Sequence, residues 1–235
     1  DGGFFARTPV TAPQASLKKR SGNFQLLEDG TLEGTVDLEY TGHAANEQKE
    51  SLDGMSPEEQ IVDWTRSTVE RFHSAMVKDM KITGAGNDLC PLRITYKVSV
   101  PNYATRTGSR LLIPPAAFQR SVSPILSSKL RTNPLFFRYA WAEQDEIRIA
   151  LPEGWNVTAP EAAPAASIAI PESADYQAST HVNGHIIEFR RNFQWTGQLT
   201  FPSTKAPELA TGFEQVHAQD NKVVVATRVP LKAAR

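Results

Sequence analysis

From Leu92 to Val100 the chain alternates without a fault. Leu92, Ile94, Tyr96, Val98 and Val100 are apolar, and Arg93, Thr95, Lys97 and Ser99 between them are polar. A period of two sends these sets to opposite faces of a strand, which predicts a half-buried antiparallel strand. The same pattern flanks Asp29-Gly30, a dipeptide that favours hairpin turns. A two-residue loop there would pair Leu27 with Leu32 and put Phe24 and Leu26 on the opposite face. A three-residue loop with Gly30 in a left-handed bulge pairs Leu26 with Leu32 instead. That register gathers Phe24, Leu26, Leu32, Val36, Leu38 and Tyr40 on one face, and is the one expected.

Further strands are predicted at 79–84, at "LLIPP", and at 135–141 with Leu135, Phe137, Tyr139 and Trp141 on one side. Residues 146–151, presenting Ile147, Ile149 and Leu151, and the final "KVVVATRV" complete the set. Around them, 101–134 reads as loop-rich and 159–166 as a Pro/Ala-rich connection. The clearest helix opens at "SPEEQ": Ser56 as N-cap, Pro57 at the first helical position and Glu59 two further on, a capping box. Ile61, Thr65, Thr68, Val69, Phe72 and Met76 recur at helical spacing, so this helix is expected to reach about residue 77. A second helix is expected near 206–219.

"HVNGH" at 181–185 raises the question of a metal site. Asn-Gly predicts a two-residue type I′ turn with Val182 opposite His185, which sends His181 and His185 to opposite sides of the sheet. Neither then helps the other to bind a metal, and a turn accounts for both. His43 follows a strand end, His73 lies off the apolar stripe of its helix, and His217 lies in the late helix. Cys90 has Asp88 nearby, the wrong sign for lowering a thiol pKa, and no base in its motif. Asp145 and Glu146 are strand neighbours facing opposite ways, so they form no acid/base couple. "GAGND" leads to a strand rather than a helix, so it reads as a turn and not a phosphate loop. No catalytic residue, metal site or cofactor is expected. One loop, "PNYATRTGSR", offers Tyr103, Arg106 and Arg110 as candidate contact residues, because Tyr and Arg suit interfaces.

Composition changes little. The 235 residues are 40% hydrophobic and 22% charged, enough for a core. A net charge of −1 argues against a nucleic-acid surface. No apolar run is long enough to span a bilayer. A single cysteine rules out an internal disulfide.

Several segments in order resemble a known pattern: "DGGFFARTPVTAP", "LLEDGTLEGTVDLEYTGHAA", "PLRITYKVSVPNYATRTGSRLLIPP", "RTNPLFFRYAWAEQDEIRIALPEGW" and "FEQVHAQDNKVVV". Together they resemble the C-terminal region of bacterial transglutaminase-like proteins that carry a domain of unknown function at each end. The resemblance implies a papain-like core with a Cys, His and Asp triad upstream of this sequence, and a β-rich tail here. No catalytic position of that family falls on a residue of this chain. The resemblance also implies an extracytoplasmic location, since such proteins often bear secretion signals.

The expected fold is mainly β (α+β) with antiparallel sheets. Residues 1–22 would end an upstream domain and form a linker. Residues 23–118 would form an α+β lobe with one long helix on the first sheet, and 119–235 a β-sandwich-like lobe with a C-terminal helix. The expected function is that of a non-catalytic accessory region packing on, or presenting substrate to, the upstream core. The alternative is a cell-surface glycan- or peptide-binding module using exposed rings such as Tyr103, Trp155 or Trp195.

Overall fold

The computed structural model describes residues 11–72, 74–127, 130–157, 165–170 and 172–228. His73, the opening stretch 1–10 and most of the Pro/Ala-rich connection lie outside these residues.

The fold is built on the first hairpin. Strands β1 (Leu17–Leu26) and β2 (Leu32–Tyr40) pair with Leu26 opposite Leu32, the expected register. The Leu27 amide donates to the Thr31 carbonyl at 2.8 Å, leaving Glu28, Asp29 and Gly30 as the loop, with Gly30 at φ +87°. Phe24, Leu26, Leu32, Val36, Leu38 and Tyr40 are all buried. Helices α1 (Gly42–Leu52) and α2 (Pro57–Phe72) follow. The capping box of α2 is formed: the Ser56 amide donates to Glu59 Oε2 at 2.8 Å and the Glu59 amide to Ser56 Oγ at 3.3 Å.

Helix α1 was not foreseen, because its buried side consists of Ala44, Ala45, Lys49 and Leu52, too weak an apolar stripe to stand out. Helix α2 stops at Phe72 rather than 77. Ser74 takes a φ of 66°, and Met76 already opens β3 (Met76–Thr83), with an exposed side chain instead of a buried helical one.

Strand β4 (Leu92–Val100) buries the five expected residues. β5 (Thr105–Thr107) and β6 (Arg110–Ile113) form a small hairpin. The stretch 135–141 is strand only at β7 (Leu135–Phe136); beyond it single backbone bonds, from Phe137 to Leu199 and from Trp195 to Trp141, hold the chain while Phe137 and Trp141 pack on Trp195. Next come β8 (Ala142–Ala150), β9 (Trp155–Val157), β10 (Ala166–Ile170), β11 (Ala174–Asn183) and β12 (Ile186–Trp195). β13 (Thr200–Phe201), α3 (Ala206–Asp220) and β14 (Val224–Arg228) end the described chain.

Among the described residues the strands form an eight-stranded sheet in the order β10-β11-β12-β8-β1-β2-β4-β3, a four-stranded sheet β5-β6-β14-β9, and the pair β13-β7. Every pairing is antiparallel except β1 with β8. The fold is therefore mainly β, with sandwich-like sheets and a C-terminal helix. The large sheet runs through the division expected at residue 118, because β8 and β12 extend the sheet that β1 and β2 begin. Residues 17–22, expected as linker, form the first half of β1.

The "HVNGH" turn differs from expectation. Asn183 pairs with Ile186 and Val182 with Ile187, so the loop is Gly184-His185, with Gly184 at φ +60°. Glycine with positive φ at the first central position is the type II′ pattern. This register places Phe193 opposite Tyr176 and Trp195 opposite Ala174, all buried. Packing along ten residues outweighs the preference of one dipeptide. His181 is an exposed strand residue and His185 an exposed turn residue.

Candidate functional site

On the core face of the large sheet, one row departs from the apolar pattern. Arg191 of β12, Asp145 of β8 and Arg20 of β1 lie opposite one another on adjacent strands. The next inward position of β8 is Glu143. Arg20 Nε donates to Asp145 Oδ1 at 2.6 Å and Arg20 Nη2 to Glu143 Oε2 at 2.9 Å. Arg191 Nη1 reaches the same Glu143 oxygen at 3.0 Å, and its Nε reaches Asp220 of α3 at 3.1 Å. Tyr176 Oη donates to Asp220 Oδ1 at 2.7 Å, and Gln119 Nε2 to Asp145 Oδ2 at 2.9 Å. Three carboxylates thus share two guanidinium groups in a water-poor layer.

The electrostatics follow from that count. Burial disfavours both guanidinium charges, but the carboxylates outweigh it and hold Arg20 and Arg191 above their ordinary range. Burial also pushes Glu143 up, yet Arg20, Arg191 and Lys18 bring it down to about 2. Asp220 goes the other way: burial raises it, and Arg191 and Tyr176 do not fully offset this. Burial and the nearby Asp220 raise the Tyr176 phenol.

A cleft of about 490 Å³ opens over this layer. Arg20, Glu143, Arg191 and Asp220 form part of its floor, and Trp141, Phe193 and Phe213 form an aromatic wall. Trp141 stacks on Trp195 at 5.2 Å and Trp195 on Phe213 at 5.8 Å, while Phe137 lies 4.2 Å from Trp195. At the mouth, Tyr139 stacks on His43 at 4.9 Å and donates to Glu47 Oε2 at 2.6 Å. A second, shallower hollow of about 850 Å³ lies on the polar face of the large sheet, among residues such as Asn23, Lys97 and Arg148.

The candidate residues named from sequence are placed as follows. Tyr103 is only 1% exposed; its hydroxyl donates to the Pro114 carbonyl, and Arg120 lies 4.9 Å over its ring. It is a core residue, not a contact residue. Arg106 is exposed and lies 5.8 Å over the Trp155 ring, and Arg110 is exposed at the start of β6. Trp155 and Trp195 are fully buried, so none of the three suggested rings presents a face to a sugar. Cys90 is exposed, and its carbonyl accepts from Lys49. Asp145 is buried and Glu146 exposed, facing apart as expected. Among the described residues no cluster of His, Cys, Asp and Glu is placed to hold a metal, and no helix is long and apolar enough to cross a membrane.

The ion network was missed, although a signal existed. Arg20 shares its parity with Phe24 and Leu26, Asp145 with Ile147 and Ile149, and Arg191 with Phe189 and Phe193. Opposite charges at inward positions of three strands mark a buried pair once those strands are known to be neighbours.

Residues 109–226 match the family model described as a domain of unknown function with a solved structure, DUF3858. The chain belongs to the DUF3858 family. No curated protein and no solved structure matches it. The DUF3858 span supplies Gln119, Glu143, Asp145, Tyr176, Arg191 and Asp220, while Arg20 reaches the network from β1, outside the span.

Proposed function

We propose that this chain is a non-catalytic accessory region of a transglutaminase-like protein, docking on a thiol-dependent core and presenting substrate to it. The observation that carries the reading is the saturated ion network. Among the described residues the densest group of ionisable side chains is buried, and each of its carboxylates accepts from a guanidinium. The hydrogen bonds hold these groups in one geometry. They fasten β1, β8, β12 and α3 together, which suits a rigid scaffold better than proton transfer. The ordered segments that resemble the transglutaminase-like tail support the same reading. On this reading the protein is bacterial and acts outside the cytoplasm.

The test begins with the reading frame upstream of Asp1, where a Cys, His and Asp core is expected. That core is then assayed for amine incorporation into a glutamine peptide, with and without this chain. An upstream frame lacking such a core, or a core indifferent to the chain, ends the proposal. Of the two ligands in the alternative reading, the sugar loses its proposed rings to burial, and the peptide keeps a surface.

A further inference from the structure

We infer that the cleft over the ion network is a docking site for an acidic peptide segment carrying a branched or aromatic apolar side chain. The inference does not depend on the presence of a thiol-dependent core.

The first observation is where exposed apolar side chains gather. Eight large hydrophobic residues are exposed among the described residues, and Val122, Ile125 and Phe136 of these line this one cleft. Phe136 is 70% exposed and Ile125 53%. Leaving such groups in water is unfavourable, and their clustering marks a contact surface. Behind them the Trp141, Phe193 and Phe213 wall offers an apolar hollow, at a volume that holds one or two side chains.

The second observation is charge. The floor balances Arg20 and Arg191 against Glu143 and Asp220, and Asp145 beneath it leaves one carboxylate in excess. The mouth reverses this: Lys18, Arg71 and Arg138 line it against Glu47 alone. Glu47 already accepts from the Tyr139 hydroxyl and from Arg138 at 3.4 Å. Arg71 and Arg138 are exposed, so an arriving ligand meets positive charge first and an apolar wall second. A carboxylate next to a leucine or phenylalanine side chain matches that order. The exposed apolar groups are spread along an open surface rather than a closed tunnel, which favours a peptide over a fatty acid.

The third observation is the loop that carries Val122 and Ile125. It follows a short 3-10 turn at Ala117–Gln119 and leads to β7, and its Ser121 takes φ 62°. Its described residues 120–127 form neither helix nor strand, and surface loops of this kind commonly carry binding residues.

The experiment measures fluorescence anisotropy of a labelled Gly-Asp-Leu-Phe-Glu-Asp-Gly peptide with the whole chain. Three comparators are used: lysines in place of the acids, serines in place of Leu and Phe, and unlabelled decanoate as competitor. Saturable binding is expected, roughly tenfold weaker for either altered peptide, and weakened by salt. Phe136→Ser should reduce binding to a similar degree. The double variant Arg71→Glu/Arg138→Glu should lose the acidic peptide and gain the lysine one. All three positions are exposed, and unchanged circular dichroism would verify folding. No saturable binding, equal binding of both charged peptides, or indifference to the charge reversal would overturn the inference. Displacement by decanoate would overturn it in favour of a lipid.

Discussion

Arg20 and Asp145 face each other across the one parallel strand pair among the described residues, with Arg20 Nε 2.6 Å from Asp145 Oδ1. Their strands lie side by side in the sheet although the residues are 125 positions apart. A one-residue slip of β1 would turn Arg20 to the polar face and leave Asp145 buried beside Arg191 and Gln119 alone. Apolar neighbours such as Phe24 and Ile149 would slip with it. The pair therefore fixes the junction between β1 and the DUF3858 span.

Removing one partner should expose that dependence. Arg20→Met leaves Asp145 and Glu143 short of positive charge in a dry layer, at a cost of about 3 to 5 kcal/mol. The urea unfolding midpoint is the measure. Arg20→Met combined with Asp145→Leu should recover part of the loss, because the buried Asp145 charge goes with its partner while Glu143 keeps Arg191. A double variant no more stable than the single one would show that the pair itself, not its completeness, sustains the fold.

Two acids of the network should shape stability against pH in opposite senses. The folded value of Glu143 is about 2, below its ordinary 4.5, so its contribution is complete above 4.5 and lost as pH falls towards 2. The loss is of order 3 kcal/mol. Asp220 is raised above 3.8, so its contribution is greatest below that value and fades as pH rises through its folded value. Glu143→Gln should therefore flatten the acid limb, and Asp220→Asn the limb above it. Unfolding free energies measured at a series of pH values decide both.

What could be read from sequence depended on how local the cause was. The β1–β2 register follows from one glycine and the alternation around it, and the α2 start from Ser56 and Glu59; both are settled within a few residues. The "HVNGH" turn was misjudged because its register is set by Tyr176, Phe193 and Trp195 far from the loop. Helix α1 was invisible because a lysine occupies its buried side. The cleft was invisible because its charged floor comes from β1, β8, β12 and α3, brought together only by the sheet order.

Lys49 of α1 offers a separate test. It is 5% exposed, and its ammonium donates to the carbonyls of Asn87 and Cys90, both at 2.6 Å. These bonds tie α1 to the turn before β4. Lys49→Met keeps the side-chain length but leaves two carbonyls without that donor. A destabilisation of about 2 to 3 kcal/mol is expected, since bonds to charged donors are the stronger kind. Hydrogen exchange should show the 84–90 turn loosening before the sheet. Uniform loosening would mean the lysine supports the whole core instead.

The closing contact of the first hairpin is Phe24, whose ring lies over Gly22 and against Gly34. A Cβ on Gly22 would fall 2.2 Å from the end of that ring, and a Cβ on Gly34 2.1 Å from the Asn23 carbonyl oxygen. The obstacle is a side chain in one case and backbone in the other. Both Gly22→Ala and Gly34→Ala should destabilise by about 1 to 3 kcal/mol or more, as overpacking does. Phe24→Leu shortens the ring away, so it should relieve Gly22→Ala, giving a coupling of about 1 kcal/mol in a double-mutant cycle. Gly34→Ala should retain most of its cost beside Phe24→Leu, because Asn23 cannot move its carbonyl without giving up the Asn23–Thr35 register. Equal relief at both glycines would place the constraint in the ring alone.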